Sequence, residues 1–330
     1  MNNEIVGRIL TQYGYQNYIF QPVEKGYRNE THPFTTPDGQ TRNLILFKCE
    51  PGILETIQNA DRSADFAAHA GLPVRQRIEQ KTIRLQAGSW KKYGSVYTYL
   101  PGQTIPWEAY TQEHIKLLGK TMSDLHASLA GVPLDNYPNV ADQYTAITRR
   151  VRDYFARSDV SEALAGKLKL RVCSAKLPDF TRVLLGAKRL DHQQVLHMDF
   201  VRSNILFSGA RPVTVSGILD FEKTAVGHPV FDIARTLSFL LIDCKYKSED
   251  QIRKYFLYSG YRRRGSQAYL PVVVKISGKR FNLLEVLLEL FLLYDLYKFL
   301  RHNPYESLMD NEHFMRTKAF LFAHGLVEAI

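Results

Sequence analysis

Hydrophobic and polar positions divide the chain into a first part typical of a small β-sheet and a second part typical of packed helices. Apolar residues recur at helical spacing near the start, so an amphipathic helix is predicted over residues 1–15. Alternating or continuous apolar runs predict strands at 18–23, 43–49, 74–78 and 95–100. Thr36–Gln40 has the composition of a hairpin turn, and a helix is predicted from Pro51-Gly52 to Ala70.

Helical periodicity dominates after Pro101-Gly102. Helices are predicted over residues 111–129, 141–176, 179–190, 230–243, 249–259, 281–301 and 312–328. Two polar loops flanked by short apolar runs interrupt them, which predicts strand, loop, strand, turn and strand over residues 195–219. The predicted fold class is therefore α+β. A small antiparallel-sheet N-terminal lobe spans residues 1–100, and a larger, mainly helical C-terminal lobe spans residues 101–330.

The two polar loops carry the residue types that phosphoryl transfer from a nucleoside triphosphate needs. His197, Asp199 and Asn204 have the spacing His-x-Asp-x4-Asn, and Asp220 follows sixteen residues after Asn204. One carboxylate must orient the attacking hydroxyl and accept its proton, while an amide and a second carboxylate hold Mg²⁺ on the phosphates. Asp199 fits the first role, and Asn204 with Asp220 fits the second.

Each of these residues also has an ordinary structural explanation. Asp199 could be a turn residue, Asn204 a cap and Asp220 the N-cap of the next helix, because isolated Asp and Asn residues commonly have these roles. The three spacings together favour the functional interpretation.

Composition indicates an ordinary globular protein with a basic charge. Hydrophobic residues make up 45% and charged residues 23% of the 330, enough to bury a large core. Lys and Arg exceed Asp and Glu by 43 to 33, giving +10, which suits an anionic nucleotide or nucleic acid. Much of the excess lies in segment 245–264. No recognised nucleic-acid motif accompanies it, so we expect a solvated helix face, a basic loop and no nucleic-acid partner.

Nothing in the sequence indicates a membrane or an oxidising compartment. The first residues lack the order of a signal peptide, and four charged residues interrupt the most apolar segment, 283–300, so no membrane span is expected. Cys49, Cys173 and Cys244 are widely spaced and fit neither a disulfide framework nor a zinc site. We therefore expect a cytoplasmic protein.

Five segments resemble the kinase-like small-molecule phosphotransferases, the superfamily of aminoglycoside phosphotransferases, choline kinases and one kind of bacterial homoserine kinase. The resemblance spans about residues 18–300. Its segments are the catalytic loop 197–204, the metal loop 218–222, the following helix start 227–234, the helix segment 117–126 and the hinge 97–102. It implies a two-lobed protein-kinase-like fold.

Carried over to this sequence, the resemblance makes Asp199 the catalytic base and Asn204 and Asp220 the Mg²⁺ ligands. It assigns Lys48, which closes the predicted strand 43–49, to the α- and β-phosphates. The acid expected to pair with Lys48 is Asp61, with Glu55 as the alternative. Asp61 is preferred because Glu55 falls in the first helical turn, where acids often serve only the helix dipole.

The resemblance also implies residues that contact the nucleotide through the backbone. The segment Gly26–Thr31, including Asn29, would cover the phosphates, and Tyr99 and Leu100 in the hinge would face adenine. His197 and Asp232 are expected to brace the catalytic loop, and His126 to be a packed helix residue. Met198 departs from the family, which has glycine there, so the loop must tolerate a Cβ at this position.

The sequence thus predicts an ATP- and Mg²⁺-dependent phosphotransferase acting on a hydroxyl of a small molecule. A nucleotide-binding pseudokinase or regulatory module is the alternative. The sequence is compatible with aminoglycoside-, choline- and homoserine-like acceptors. It does not distinguish ATP from GTP as the donor, and it does not predict the oligomeric state. An acidic cleft would suit polycationic aminoglycosides, whereas tyrosines near the basic segment could cage choline. These are Tyr246, Tyr255, Tyr258, Tyr261, Tyr294 and Tyr297.

Overall fold

The computed structural model describes residues 3–22, 24–25, 29–87, 90–173, 177–261 and 271–330. The chain forms two compact units. The first contains residues 1–104 and 204–223, and the second contains residues 105–203 and 224–330. The sequence had placed residues 204–223 in the second lobe. No helix in the described part of the chain has the length and apolar character needed to cross a bilayer.

The elements of the described residues are numbered in chain order. The helices are α1 (Asn3–Gln12), α2 (Ile53–His69), α3 (Gln112–Leu129), α4 (Val140–Phe155), α5 (Ser158–Ala163), α6 (Leu177–Ala187), α7 (Val230–Asp243), α8 (Glu249–Arg253), α9 (Leu283–His302), α10 (Tyr305–Leu308) and α11 (Glu312–Ala323). The strands are β1 (Ile19–Phe20), β2 (Glu24–Lys25), β3 (Glu30–Thr35), β4 (Thr41–Lys48), β5 (Ile83–Ala87), β6 (Trp90–Thr98), β7 (Leu170–Val172), β8 (Gln194–Leu196), β9 (Ile205–Phe207), β10 (Val215–Ile218), β11 (Ala225–Gly227), β12 (Val273–Ile276), β13 (Lys279–Asn282) and β14 (Val327–Ala329). Short π-helical segments follow α5 and α8, at Leu164–Leu168 and Lys254–Tyr261.

The first unit is built on an antiparallel sheet. Its strand order is β1-β3-β4-β6-β5, with β2 paired to β3. The strand β5 was not predicted, and the strand predicted at 74–78 is a segment that makes only isolated bridges, Val74 to Ile218 and Arg77 to Tyr97. Three consecutive polar side chains at 75–77 interrupt the apolar alternation that a continuous strand needs.

Both faces of the sheet are buried, which explains the unbroken apolar run in β4. Successive side chains of a strand point to opposite faces. Leu44 and Leu46 pack with α1, and Ile45 and Phe47 pack with α2. We call these the α1 face and the α2 face. Burial of one such side chain contributes roughly 1.5–3 kcal/mol, so the two helices fix the sheet from both sides.

The hairpin formed by β9 and β10 joins the first unit through backbone hydrogen bonds. Ile218 N–H donates to the Pro73 carbonyl at 2.7 Å, and Arg75 N–H donates to the Ile218 carbonyl at 3.3 Å. Gly102 lets the chain before it approach this hairpin. Its φ is +139°, and a Cβ there would lie 2.2 Å from Ser216 Oγ. These contacts explain why residues 204–223 belong to the first unit.

The second unit is mainly helical, and α9 lies at its core. This helix is apolar on nearly every side, so it has no polar stripe to expose and is buried along its length. It begins at Leu283 because the Asn282 side chain accepts the Leu284 N–H at 3.2 Å. The hairpin β12–β13 before it was not predicted. Ser277 and Gly278, both at positive φ, form its two-residue turn.

Two predicted helices are shorter than expected. In the segment 141–176, α4 ends at Phe155, and α5, a π-helical segment and β7 follow. The C-terminal helix ends at Ala323 rather than at residue 328, because Gly325 turns the chain at φ +63°. The last residues then form β14, which pairs with β7.

Candidate active site

Asn204 and Asp220 occupy neighbouring positions at one end of the β9–β10 hairpin. Ile205 pairs with Ile218, and the Leu219 N–H donates to the Asn204 carbonyl at 2.8 Å. The antiparallel register therefore brings together two residues that sixteen positions separate in the sequence. Both side chains offer oxygen, the ligand that hard divalent cations prefer.

The backbone of Asp220 adopts a left-handed conformation, with φ +59°. An aspartate tolerates this because its side chain can bond locally, and here Oδ1 accepts the Glu222 N–H at 3.3 Å. The Glu222 carboxylate in turn accepts a hydrogen bond from Asn29 Nδ2 at 2.5 Å. Asn29, predicted in the phosphate turn, is thus tied to the loop that carries Asp220.

Asp199 lies on the loop that follows β8. His197, Met198 and Phe200 around it are buried, whereas Asp199 is partly exposed. Its N–H donates to His197 Nδ1 at 3.2 Å, and its carbonyl accepts the Val201 N–H at 2.8 Å. The brace expected from His197 is therefore formed, and within residues 197–200 Asp199 is the one that is partly exposed.

Asp232, near the start of α7, holds the loop of Asp199 through two hydrogen bonds. Its Oδ2 accepts the His197 N–H at 2.8 Å, and its Oδ1 accepts the Met198 N–H at 2.6 Å. Burial by itself would raise the pKa of this carboxyl. The hydrogen bonds from His126 and the loop, with the nearby His126 and His197 rings, outweigh burial and hold the pKa below its usual value. The expected bracing role of Asp232 is confirmed.

His126 extends this network into α3. Its Nε2 lies 3.1 Å from Asp232 Oδ2, and its Nδ1 lies 2.7 Å from the Tyr261 hydroxyl. A carboxylate can only accept, so Nε2 must be the donor. The residue is packed in the helix as expected. It also fixes the carboxylate that holds the catalytic loop, which the sequence did not reveal.

Met198 stands where the family has glycine, and its backbone adopts the left-handed conformation that glycine favours. Its φ is +60°, in the left-handed region that favours glycine, and its side chain is 6% exposed. The loop therefore accommodates a Cβ through strain that burial of the methionine side chain offsets.

The α2 face carries a cleft that contains both Asp61 and Asp220. Its lining residues are Phe47, Ile57, Ala60, Asp61, Ala64, Arg75, Tyr97, Asp220, Phe221 and Glu222. Arg77 donates to Asp61 Oδ2 at 2.8 Å, and the Tyr97 hydroxyl donates to Oδ1 at 3.0 Å. Burial raises the pKa of Asp61, and these two bonds oppose the shift without cancelling it. The partners of Asp61 in this structure are thus Arg77 and Tyr97.

Lys48 is not brought to Asp61. It is exposed at the end of β4, and strand alternation from Leu44 and Leu46 places it on the α1 face. Asp61 packs on the other side of the sheet, with α2. Glu55, the alternative acid, is exposed in the first turn of α2. A phosphate-binding role for Lys48 stays a prediction.

The remaining predicted nucleotide contacts are Tyr99, Leu100 and Gly26. Tyr99 and Leu100 follow the last residue of β6, and the Tyr99 side chain is exposed. Gly26 lies outside the described residues. Their contacts with adenine and phosphate also stay predictions.

A family model described as the phosphotransferase enzyme family matches residues 19–263, well over half of the chain. The chain belongs to this phosphotransferase family. The predicted enzyme class is thereby confirmed, and family membership favours an enzyme over the regulatory alternative. A search of curated proteins found no match.

Solved structures of low sequence identity share the fold of this phosphotransferase. The GDP complex of wild-type aminoglycoside 2'-phosphotransferase-IIIa has a TM-score of 0.64 at 15% identity, covering 97% of this chain and 99% of that one. Amicoumacin kinase in complex with AMP-PNP, Ca²⁺ and Ami gives 0.61 at 12%, covering 97% and 96%. A microcompartment-associated aminopropanol kinase gives 0.59 at 15%, covering 98% of each chain. The predicted kinase-like fold class is confirmed.

In segment 245–264 of the phosphotransferase, two of the four basic residues that the structure describes form ion pairs. Lys245 meets Glu312 at 2.9 Å, and Arg253 meets two glutamates, at 2.7 and 2.9 Å. The last three arginines of the segment lie outside the described residues. The exposed residues 249–251 of α8 agree with the solvated helix face that was expected.

Proposed function

We propose that this phosphotransferase moves the γ-phosphate of ATP, with Mg²⁺, to a hydroxyl group of a small molecule. The observation that carries the proposal is the adjacency of Asn204 and Asp220 at one end of the β9–β10 hairpin. Two similar structures support a nucleotide and a divalent metal, since one holds GDP and the other AMP-PNP with Ca²⁺. GTP is the alternative donor. Because ATP is abundant in the cytoplasm, we place the reaction there.

The residues of the hairpin fit Mg²⁺ completed by phosphate and water. Among the described residues, no group of three or more His, Cys, Asp or Glu is arranged to hold a metal. Proteins commonly bind Mg²⁺ through one or two side chains together with the phosphates of the substrate, so Asn204 and Asp220 suffice. When bound, Mg²⁺ neutralises charge on those phosphates.

Asp199 is the proposed base. Its carboxylate orients the attacking hydroxyl and accepts the proton as the oxygen bonds to the γ-phosphorus, while the bond from that phosphorus to the bridging oxygen breaks and ADP leaves. Two features support this role: Asp199 is partly exposed, and Asp232 fixes the loop through the His197 and Met198 N–H groups. The loop residues contribute to the rate mainly by positioning.

The acceptor is proposed from the small-molecule enzymes among the similar structures, which include aminoglycoside, amicoumacin and aminopropanol enzymes. A choline cage is disfavoured, because four of the six tyrosines considered for it already face cations of the chain. The pairs are Lys116–Tyr255 (5.7 Å), Lys245–Tyr246 (5.5 Å), Lys298–Tyr294 (4.9 Å) and Arg301–Tyr297 (5.7 Å). A ring beside one cation attracts a second less strongly. We therefore favour aminoglycoside- or homoserine-like acceptors.

Substitution of the two aspartates separates their roles. Asp199→Asn should lower acceptor-dependent ADP release at least about 100-fold, because the amide cannot accept the hydroxyl proton, while Mg²⁺-ATP affinity is largely kept. Asp220→Asn should weaken Mg²⁺-dependent ATP affinity about tenfold or more, because the metal loses an anionic oxygen. The measurements are calorimetric ATP titrations with and without Mg²⁺, and ADP release with a panel of aminoglycosides, choline and hydroxy amino acids.

Asp135→Asn, at an exposed position, is the matched control and should behave as the wild type in both assays. Absence of nucleotide binding by the wild type would refute the donor assignment. Full ADP release by Asp199→Asn, or equal Mg²⁺-ATP affinity in Asp199→Asn and Asp220→Asn, would refute the assigned roles.

A further inference from the structure

The cation that lines the cleft together with Asp220 is not the one that the sequence predicted. Of the described side chains that line the cleft, Arg75 is the only cation, and it shares the cleft with Asp220 and Glu222. Lys48 lies on the opposite, α1 face by strand alternation. The cleft therefore contains a cation from a segment outside the predicted nucleotide-binding positions.

Backbone bonds fix Arg75 close to the proposed metal ligand. The Arg75 N–H donates to the carbonyl of Ile218, two residues before Asp220, and Val74 forms a bridge with the same residue. Position 75 is thus tied to the hairpin that carries Asp220, and movement of one would move the other.

The Arg75 guanidinium is held by an aromatic ring. Its central carbon lies 5.4 Å from the centre of the Tyr97 ring, and the Tyr97 hydroxyl is bonded to Asp61. Stacking on a ring leaves the N–H groups at the edge of the planar guanidinium to bind another group. Tyr97 thus orients the cation without consuming its donors.

Arg77, the other arginine nearby, is already occupied. Its guanidinium donates to Asp61 Oδ2 at 2.8 Å, to the Glu79 carbonyl at 2.6 Å and to Thr82 Oγ1 at 2.5 Å. Arg75, by contrast, makes no ion pair with any described residue of the chain. The guanidinium of Arg77 is therefore engaged by groups of the chain, whereas the guanidinium of Arg75 can bind an anion.

The charge of the cleft suits a metal-bound polyphosphate. The cleft is lined by Arg75, Asp61, Asp220 and Glu222, and Arg77, outside the lining, pairs with Asp61, so these five groups carry a net charge of −1. A divalent cation on Asp220 would reverse that sign. The cleft would then attract phosphate only together with the metal, and Arg75 would supply the second positive group.

We propose that Arg75, stacked on Tyr97, binds the phosphates of the nucleotide donor and takes the role that the sequence assigned to Lys48. This inference rests on the proposed function, since it concerns the donor of the same reaction. The guanidinium forms charge-assisted hydrogen bonds to phosphate oxygens and holds the donor beside Asp220. The role is positional and electrostatic, with no proton transfer at Arg75.

Titration of Mg²⁺-ATP and of adenosine into matched variants tests this role. Arg75→Ala should raise the dissociation constant for Mg²⁺-ATP roughly tenfold to a hundredfold, the range for losing a hydrogen bond to a charged group. Adenosine affinity should not change, because adenosine has no phosphate. Arg75→Gln should resemble Arg75→Ala and serves if the latter does not fold. Arg75→Lys should restore part of the ATP affinity, since it keeps the charge but loses the planar fork.

Arg84→Ala is the control for loss of a positive charge, because Arg84 is exposed on the neighbouring strand β5. It should bind ATP as the wild type does. Wild-type ATP affinity in Arg75→Ala, or equal loss of ATP and adenosine affinity, would overturn the inference. So would a larger loss of ATP affinity in Lys48→Ala than in Arg75→Ala. Failure of the wild type to bind Mg²⁺-ATP would instead refute the proposed function.

Discussion

At the scale of single residues, Met198 shows that the catalytic loop carries backbone strain. A left-handed conformation costs an L-residue about 1–2 kcal/mol and glycine almost nothing, whereas glycine loses roughly 0.5–1 kcal/mol more backbone entropy on folding than alanine. Met198→Gly and Met198→Ala both lose the same buried side chain. We expect the glycine variant to be the more stable of the two, by up to about 1 kcal/mol.

Urea unfolding of the two variants measures this difference. Met122, a buried methionine in α3, supplies the control pair, because in a helix alanine should be more stable than glycine by about 1 kcal/mol. If alanine is also clearly favoured at position 198, the strain inferred from φ +60° is not present in solution.

At the scale of elements, one buried carboxylate joins the loop after β8 to the start of α7. In the wild type, the Asp232 carboxylate accepts the His197 and Met198 N–H groups. Asp232→Asn replaces one of the two accepting oxygens with an NH₂ group, which cannot accept. The substitution should therefore lower the unfolding free energy by about 3 kcal/mol. Amide exchange at His197 and Met198 should accelerate. Asp179→Asn, in the first turn of α6, should cost at most about 1 kcal/mol through the helix dipole and the half-exposed pair with Arg182.

The difference in unfolding free energy between the wild type and Asp232→Asn should depend on pH. Because the folded pKa of Asp232 is below its ordinary value of 3.8, the stability that it contributes is present above that pH. It is lost as pH falls through the lower folded pKa. The wild type and Asp232→Asn should therefore converge in unfolding free energy below about pH 4. A difference that stays constant down to pH 2 would contradict the assigned charge state.

At the scale of the whole molecule, acid sensitivity should include a large contribution from His228. Burial, with smaller effects from His192 and His126, lowers the pKa of His228 to about 4 from 6.5. The unfolded chain therefore takes up the proton first, and stability is lost as pH falls from 6.5 towards 4. The contribution is about 3 kcal/mol. His228→Asn, which can still accept the Val230 N–H, should show a shallower loss in urea unfolding from pH 7 to 4. An unchanged slope would exclude this contribution.

Local spacing along the chain was sufficient to predict the elements that carry the proposed chemistry. Asp199 and Asn204 are separated by a fixed, short loop, and Asp220 closes an apolar run one hairpin later, so local spacing placed each beside a strand. The long helices were recognised for the same reason, because periodicity is a local property. The predicted helix boundaries were wrong where a capping or turn residue sets the end of the helix, as at Asn282 before α9 and Gly325 after α11.

The charged groups that share the α2 face could be identified only from the packing of distant segments. The alternation of side chains in β4 predicts that Phe47 and Lys48 lie on opposite faces of the sheet. It does not predict that α2 covers the face of Phe47 rather than the face of Lys48. Likewise, Arg75 reaches the cleft because its segment bonds to β10, far away in the sequence. Spacing along the chain fixes local geometry, whereas the partners of Asp61 and the location of Arg75 depend on packing between distant segments.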